Sequence, residues 1–518
     1  MRQPDHSQEQ SGFAAFGRRY WIELVLLICV PLYLYANLFV FPNVPFLIEG
    51  DQTFFWQYAL RMLHGEQPYR DFLQFTPPGL DILYFFAFKL FGTYIWVMNA
   101  ASLILGTALC WMCFYLAKQL MGRNLALLPA LLFLVLVYGG TLEATHHWFS
   151  VLAALCSISM MMPARTVGRV ISAGVLAGVA SFFTQTTGCA AVIGLLLALL
   201  WSRSFDESRW KAVFFQQMVL LCAFGAIWFV LSIPFISSVG WKSFCYFQIT
   251  FPFHHIDATR GLLFPGDRET LATGSLPQLA QRFFMYCLLL FACPLALVIC
   301  LRRRLAGVLQ DRDIRVAFLA IMGQLFFLEI FTRLNWIRLY AASMPAIVLF
   351  VWKLELVRRR RLRRCLMIVL YCSLACLAIA QIRLRRRQLH QVAELPAGRA
   401  FLSDKDYEEY PWIMQHTRPG DYFLQTSWPN VYPPLDLRSP VFVEGLWPDQ
   451  TPASPFGPPA IEQVEQKQVK YILWSPLLDT PVNGANQQGY LRAFRAYLTS
   501  HYARVHVFSN RDEIWQRQ

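Results

Sequence analysis

Residues Leu47 to Gly79 read LIEGDQTFFWQYALRMLHGEQPYRDFLQFTPPG. The stretch stands between two long apolar segments and is too polar to cross a bilayer. It opens with Glu49 and Asp51, and a further acid, Asp71, follows in Tyr69-Arg70-Asp71-Phe72. Residues 52–64 have helical periodicity. Phe54, Tyr58 and Met62 line one edge, Phe55, Ala59 and Leu63 lie beside them, and Gln52, Gln57, Arg61 and His64 take the other side. The pattern predicts a helix in the membrane interface, apolar face down and polar face wet, with Asp51 as its N-cap. It holds acids at the membrane surface, where chemistry on a lipid-borne substrate is expected.

The rest of the chain sets this stretch in a membrane. The 518 residues are 56% hydrophobic and 15% charged, with a mean hydropathy of +0.39. Apolar runs recur from Trp21 to Gln381, and a polar tail follows. The fold class expected is a mainly α polytopic membrane protein with a small C-terminal α/β domain. The net charge of +14 does not indicate nucleic acid. Its clusters, Arg302 to Arg304, Arg358 to Arg361 and Arg363-Arg364, stand between apolar runs, as cytoplasmic loops against anionic membrane lipids do. The 13 Cys lie mostly inside apolar runs, show no metal-ligand spacing and read as small core residues. A polar lead and Arg18-Arg19 precede an apolar run with no small-residue cleavage site, which reads as an uncleaved first span.

About eleven spans are expected: 21–41, 94–117, 124–140, 148–163, two within 170–201, then 212–236, 277–300, 316–331, 339–352 and 365–382. The pair in 170–201 would turn at Gln185-Thr186-Thr187-Gly188. Residues 79–92 are too short to cross comfortably and read as interfacial or re-entrant. The division is a cytoplasmic N-terminus (1–20), a membrane domain (21–387) with a first outer loop (42–93), and a soluble domain (388–518). Lys and Arg concentrate in the loops this places inside, but Arg383, Arg385, Arg386 and Arg387 fall outside and dissent. In the tail, strands are expected at 422–425, 441–444, 469–474, 503–508 and 513–516, and helices at 404–416, 457–467 and 488–501.

On this topology the ionisable and polar groups gather on the outer side: Glu49, Asp51, Arg70, Asp71, Glu143, His146, His147, Gln185, His254, His255, Asp257, Arg260, Arg333 and Arg338. Such a set suits group transfer from a membrane phosphate. A carboxylate can take the acceptor's proton, and guanidinium groups can stabilise the departing phosphate. Each residue also has an ordinary reading. Arg70-Asp71 makes a loop ion pair, Gln185 to Gly188 a helix break, His254-His255 a solvated loop, and Arg333 and Arg338 membrane anchors. Adjacent histidines point apart, which argues against a metal pair. Asp81 and Glu329, in apolar surroundings, each require a polar neighbour that the sequence does not name.

An acid just after the first span, an amphipathic interfacial helix, Tyr69-Arg70-Asp71-Phe72 and Thr76-Pro77-Pro78-Gly79 together resemble the GT-C superfamily of membrane glycosyltransferases. The glycosyltransferase family 39-like bacterial proteins are most similar, relatives of protein O-mannosyltransferases and lipid A aminoarabinose transferases. The resemblance is loose over about 20–385 and more specific over 47–92. It implies an inverting transferase at a bacterial inner membrane, with its active site and tail facing the periplasm. Such an enzyme moves sugar from a polyprenyl-phosphate donor to a lipid, glycan or protein acceptor. It implies Asp51 as general base, Glu143 as the second-loop acid with His146 and His147 nearby, and Arg333 and Arg338 at the lipid phosphate. The family often has adjacent Asp-Glu in this loop; here Glu49 and Asp51 flank Gly50, so either acid, or Asp71, fits the base. No cofactor is indicated, and a divalent cation is compatible without being indicated. Three other readings stay open: a transporter or flippase of lipid-linked glycans, a glycan polymerase or ligase, and a non-catalytic scaffold.

Overall fold

The computed structural model describes residues 6–201, 210–252, 276–331, 336–355, 359–446, 453–479 and 489–518. Each long apolar run forms a helix, because backbone groups in hydrocarbon must be satisfied within the segment. In order these are α1 (His6–Leu38), α2 (Asp51–Leu63), α3 (Gly79–Phe91), α4 (Ile95–Leu120), α5 (Arg123–Leu132), α6 (His146–Met161), α7 (Val167–Phe183) and α8 (Gln185–Trp201). Then come α9 (Trp210–Val239), α10 (Leu276–Leu305), α11 (Asp311–Phe331), α12 (Trp336–Ala342), α13 (Met344–Glu355) and α14 (Arg360–Gln388).

Among the described residues, seven helices are long and apolar enough to cross a membrane, and α12 with α13, bent by 51°, make an eighth, broken span. The expected count of about eleven also requires α6, α7 and α8, which are apolar but shorter. The chain is a multi-pass membrane protein. Its outermost helices show it most plainly: Phe214, Phe229 and Val230 on α9, and Ile368 and Val369 on α14, are at least half exposed. In a bundle of this composition such faces meet lipid.

The break in 170–201 falls one residue earlier than expected. Thr184 alone interrupts the helices, and Gln185 to Gly188 form the first turn of α8 instead of a polar turn. The chain reverses so tightly that Gly188 lies on Ser181, and a Cβ there would overlap the Ser181 backbone. Asn99 Nδ2 donates to the carbonyls of Leu38 and Phe46 at 2.8 and 2.9 Å, tying the end of α1 to the start of α4.

The helix expected over 52–64 is present as α2; on its polar side His64 is exposed as expected, but the rest is not wet. Gln52, Gln57 and Arg61 are 3%, 1% and 3% exposed. One flank rests on the membrane helices, through Phe55 on His146 and Trp56 on Phe88. The other is covered by the tail, whose Trp428 meets Phe54 edge-on at 4.6 Å. The tail had no visible reason, at the level of periodicity, to cover this face. Helix α3 has 13 residues, about 20 Å of axis, too short to cross. Its Asp81 is fully buried and accepts from Gln74 Nε2 at 2.5 Å, which supplies the neighbour this acid requires.

The tail opens with an antiparallel hairpin, β1 (Gln391–Leu395) and β2 (Gly398–Leu402), that the sequence reading did not contain. Helix α15 (Asp404–His416) follows, capped by Ser403. A four-stranded sheet then forms from β3 (Leu424–Gln425), β4 (Tyr471–Trp474), β5 (Tyr502–Val507) and β6 (Glu513–Arg517), in the order β3-β4-β6-β5, with β3 parallel to β4 and the other pairs antiparallel. Helices α16 (Ala453–Gln466) and α17 (Gly489–His501) accompany it. Residues 441–444, expected as a strand, are bends; the Phe442 carbonyl accepts from Leu73 N at 2.8 Å in the first outer loop. Two more main-chain bonds join the tail to this region, Leu47 N to Phe401 O at 2.9 Å and Ile95 N to Ala397 O at 3.0 Å.

Gly188→Ala is expected to destabilise the protein by about 1–3 kcal/mol, since the backbone of one helix must move to admit the methyl group. Thermal unfolding of the purified protein in nanodiscs checks this; an unchanged midpoint would show that the reversal is looser than described.

Candidate active site

The site is built around the start of α2. Gly50 precedes the helix at φ 150°, ψ −164°, a conformation essentially restricted to glycine. Asp51 is therefore the first residue of the helix and not its N-cap, and no side chain of the local sequence caps the orphan N–H groups. The Glu143 carboxylate lies against Gly50, where a Cβ would collide with it, and the first N–H groups of the helix, those of Asp51 and Gln52, draw its carboxyl down. An acid is the apt partner, because the helix N-terminus is electropositive.

The loop that delivers Glu143 is itself constrained. Leu142 is buried in a left-handed conformation at φ 54°. Gln52 Oε1 accepts from Ala144 N at 3.2 Å, and Tyr84 donates to the Ala144 carbonyl at 2.7 Å. Burial, with the adjacent Asp51 charge, pushes the Glu143 carboxyl up to about 8. Burial also raises the Asp51 carboxyl, while Arg338 pulls it the other way.

Two guanidinium groups flank this acid pair. Arg338, on α12, lies in the electrostatic reach of Asp51 and of Glu329. Glu329 accepts a hydrogen bond from Thr186, so its polar neighbours are identified. Arg385, near the end of α14, lies in the reach of Glu143 and Tyr33. Sequence reasoning missed Arg385 as a site residue and met it only as an exception to charge topology. The available signal was its position four residues after Gln381: Gln381 turns inward, donating to Val135 O at 3.0 Å, and Arg385 lies on the same side of the helix.

His146 and His147 begin α6 with ring centroids 3.9 Å apart, so they do not point apart as expected. His146 also meets Phe55 of α2 at 4.9 Å. Among the described residues no group of three or more His, Cys, Asp or Glu side chains is placed to hold a metal ion. A narrow cleft runs from His147 past Thr187, Glu329 and Arg338, walled by Val151, Phe326 and Ala341.

The other expected site residues lie elsewhere. Glu49 turns to the tail, where Asn430 donates to it. Asp71 pairs with Arg70 at 2.7 Å on the surface, and that hydrogen bond lowers its carboxyl. Gln185 donates to the side chain and carbonyl of Gln248 at 2.9 and 3.0 Å, and Gln248 in turn donates to Tyr69 and Thr76, making a strut to the first loop. His254, His255, Asp257, Arg260 and Arg333 lie outside the described residues.

Gly50→Ala is expected to displace Glu143 and strain the chain, at a cost of about 1–3 kcal/mol; hydrogen exchange at residues 51–54 should accelerate, and unchanged exchange would refute the tightness of this contact. Glu143 also makes stability depend on pH. Its carboxyl holds a proton in the folded protein up to about 8 but only to its ordinary 4.5 when unfolded, so stability falls as pH rises across that window. Unfolding midpoints from pH 5 to 8.5 should decline less steeply for Glu143→Gln than for wild type; parallel curves would contradict the assignment.

No protein-family model matches the sequence, and no curated protein is significantly similar to it. Solved structures are similar over nearly its whole length. ArnT from Cupriavidus metallidurans bound to undecaprenyl phosphate aligns at 12% identity, covering 96% of this chain and 98% of that one, with a TM-score of 0.59. Its apo state gives 14% identity and a TM-score of 0.58, covering 97% and 98%. The archaeal oligosaccharyltransferase AglB from Archaeoglobus fulgidus, in complex with an inhibitory peptide and a dolichol-phosphate, aligns at 14% identity over 90% of this chain and 70% of that one, with a TM-score of 0.53. The chain shares the fold of these structures.

Proposed function

We propose that this protein is an inverting glycosyltransferase that moves a sugar from a polyprenyl-phosphate donor to a hydroxyl of a lipid, glycan or protein, at the periplasmic face of a bacterial inner membrane. The observation that carries the reading is that Arg338, in the wall of a narrow cleft, lies within the electrostatic reach of Asp51 in a GT-C fold. Asp51 is the general base: as the acceptor oxygen bonds to the anomeric carbon, its proton passes to the Asp51 carboxylate. The bond from that carbon to the phosphate oxygen breaks with its electrons, leaving polyprenyl phosphate. Arg338 stabilises the charge that develops there. A carboxyl raised by burial is a stronger base than an exposed one, which suits a weakly acidic hydroxyl. Glu143, which holds a proton, lies against the helix start, and Arg385 stands within its electrostatic reach. The undecaprenyl phosphate and dolichol-phosphate named with the two similar structures support the choice of donor class.

The test is transfer of radiolabelled sugar from a panel of polyprenyl-phosphate sugars by purified protein in native-lipid membranes. Asp51 does not cap α2 with its side chain, so Asp51→Asn changes the base and little else. Its turnover should fall by about 10²–10⁴-fold with folding intact. Turnover equal to wild type would remove Asp51 from the chemistry, and no transfer by wild type from any donor would sink the glycosyltransferase reading.

A further inference from the structure

Helix α2 carries Asp51 at its first residue and Arg61 ten residues on, about 15 Å along the axis. The Arg61 side chain is 4% exposed. Its Nε donates to Glu66 at 2.5 Å, and Nη2 donates to the Asp71 carbonyl at 2.9 Å. Nη1 donates to the Val441 carbonyl at 2.9 Å and to Glu444 Oε1 at 2.7 Å. The Phe72 ring stacks beneath the group, with its centroid 4.9 Å from the guanidinium carbon. Glu444 is just as enclosed, 3% exposed.

Four acceptors surround one planar, five-donor group, an arrangement that a lysine ammonium cannot reproduce. Two of them, Val441 and Glu444, belong to the tail; the other two belong to the loop that leaves α2. Each buried partner depends on the others for the loss of its hydration, so the cluster resists sliding. Glu143 holds the opposite end of the same helix.

We propose that Arg61 is a positioning residue, through which the C-terminal domain sets the axial place of α2 and hence of Asp51 relative to Arg338. The tail then contributes to turnover without touching either substrate. This rests on the reading of Asp51 as the base.

The experiment uses the full-length protein in native-lipid nanodiscs, with Arg61→Lys from the membrane side and Glu444→Gln from the tail side. Expected is a loss of about tenfold or more in kcat, with KM for the donor changed by less than about twofold, because a small misplacement of a reacting group costs rate more than affinity. On the residual activity of Asp51→Asn, the same substitutions should have little further effect, since there is no base left to place. Wild-type kcat in both variants, or losses that multiply undiminished on Asp51→Asn, would overturn the proposal. Should Arg61→Lys fail to fold, Glu444→Gln carries the same readings. Hydrogen exchange over residues 51–63 is followed alongside. Faster exchange in Glu444→Gln is expected, and unchanged exchange overturns the positioning role even if the wild type transfers no sugar and the glycosyltransferase reading fails.

Discussion

A helix that begins inside a protein presents several backbone N–H groups with nothing to bond. At the start of α2, Gly50 offers no side chain, and the carboxylate of Glu143, far away in the chain, lies against this end of the helix. The rest of the outer face depends on this contact. It brings the loop between α5 and α6 against the first loop, and so sets Asp51 beside the histidines and Arg338. It also places two carboxyl groups close together in a poorly solvated setting. That is tolerable only because one of them can hold a proton and because guanidinium groups stand on either side.

The membrane accounts for the helices but not for the order at their outer ends. Lipid imposes internal hydrogen bonding on each span, and it gives no preference for where a polar loop should sit. That order comes from directed polar contacts: Asn99 on the carbonyls of Leu38 and Phe46, Gln185 through Gln248 to Tyr69, and Arg61 on Glu444. Each joins elements far apart in sequence. None is replaceable by an apolar group of similar size without stranding a partner in low dielectric.

How far the sequence revealed this depends on the range of the interaction. The spans followed from hydropathy, and α2 and α15 from periodicity, since these are local properties. The proximity of Asp51 to Glu143 and Arg338 was drawn from a resemblance, and the geometry brings these three together. What was misjudged is non-local. The side of α2 bearing Gln52, Gln57 and Arg61 looked like a wet face, because periodicity reports polarity and not what covers it. Asp51 looked like a cap because the residue type and position fit, although Gly50 holds the cap position. Glu49 was grouped with Asp51 by its place in the chain, and the backbone turn at Gly50 sends the two apart. The hairpin at 391–402 was passed over because its burial alternates weakly in so short a pair.

The last helix is flanked by arginines on both sides, six from Arg358 to Arg364 and four from Arg383 to Arg387. During biogenesis positive charge on both flanks gives the insertion machinery only a weak asymmetry by which to orient the segment. Its direction is inherited from the spans made before it, and the inward turn of Arg385 toward Glu143 then retains it. The orientation of α14, and with it the side on which the whole tail emerges, is thus decided by parity upstream and made permanent only when the bundle closes.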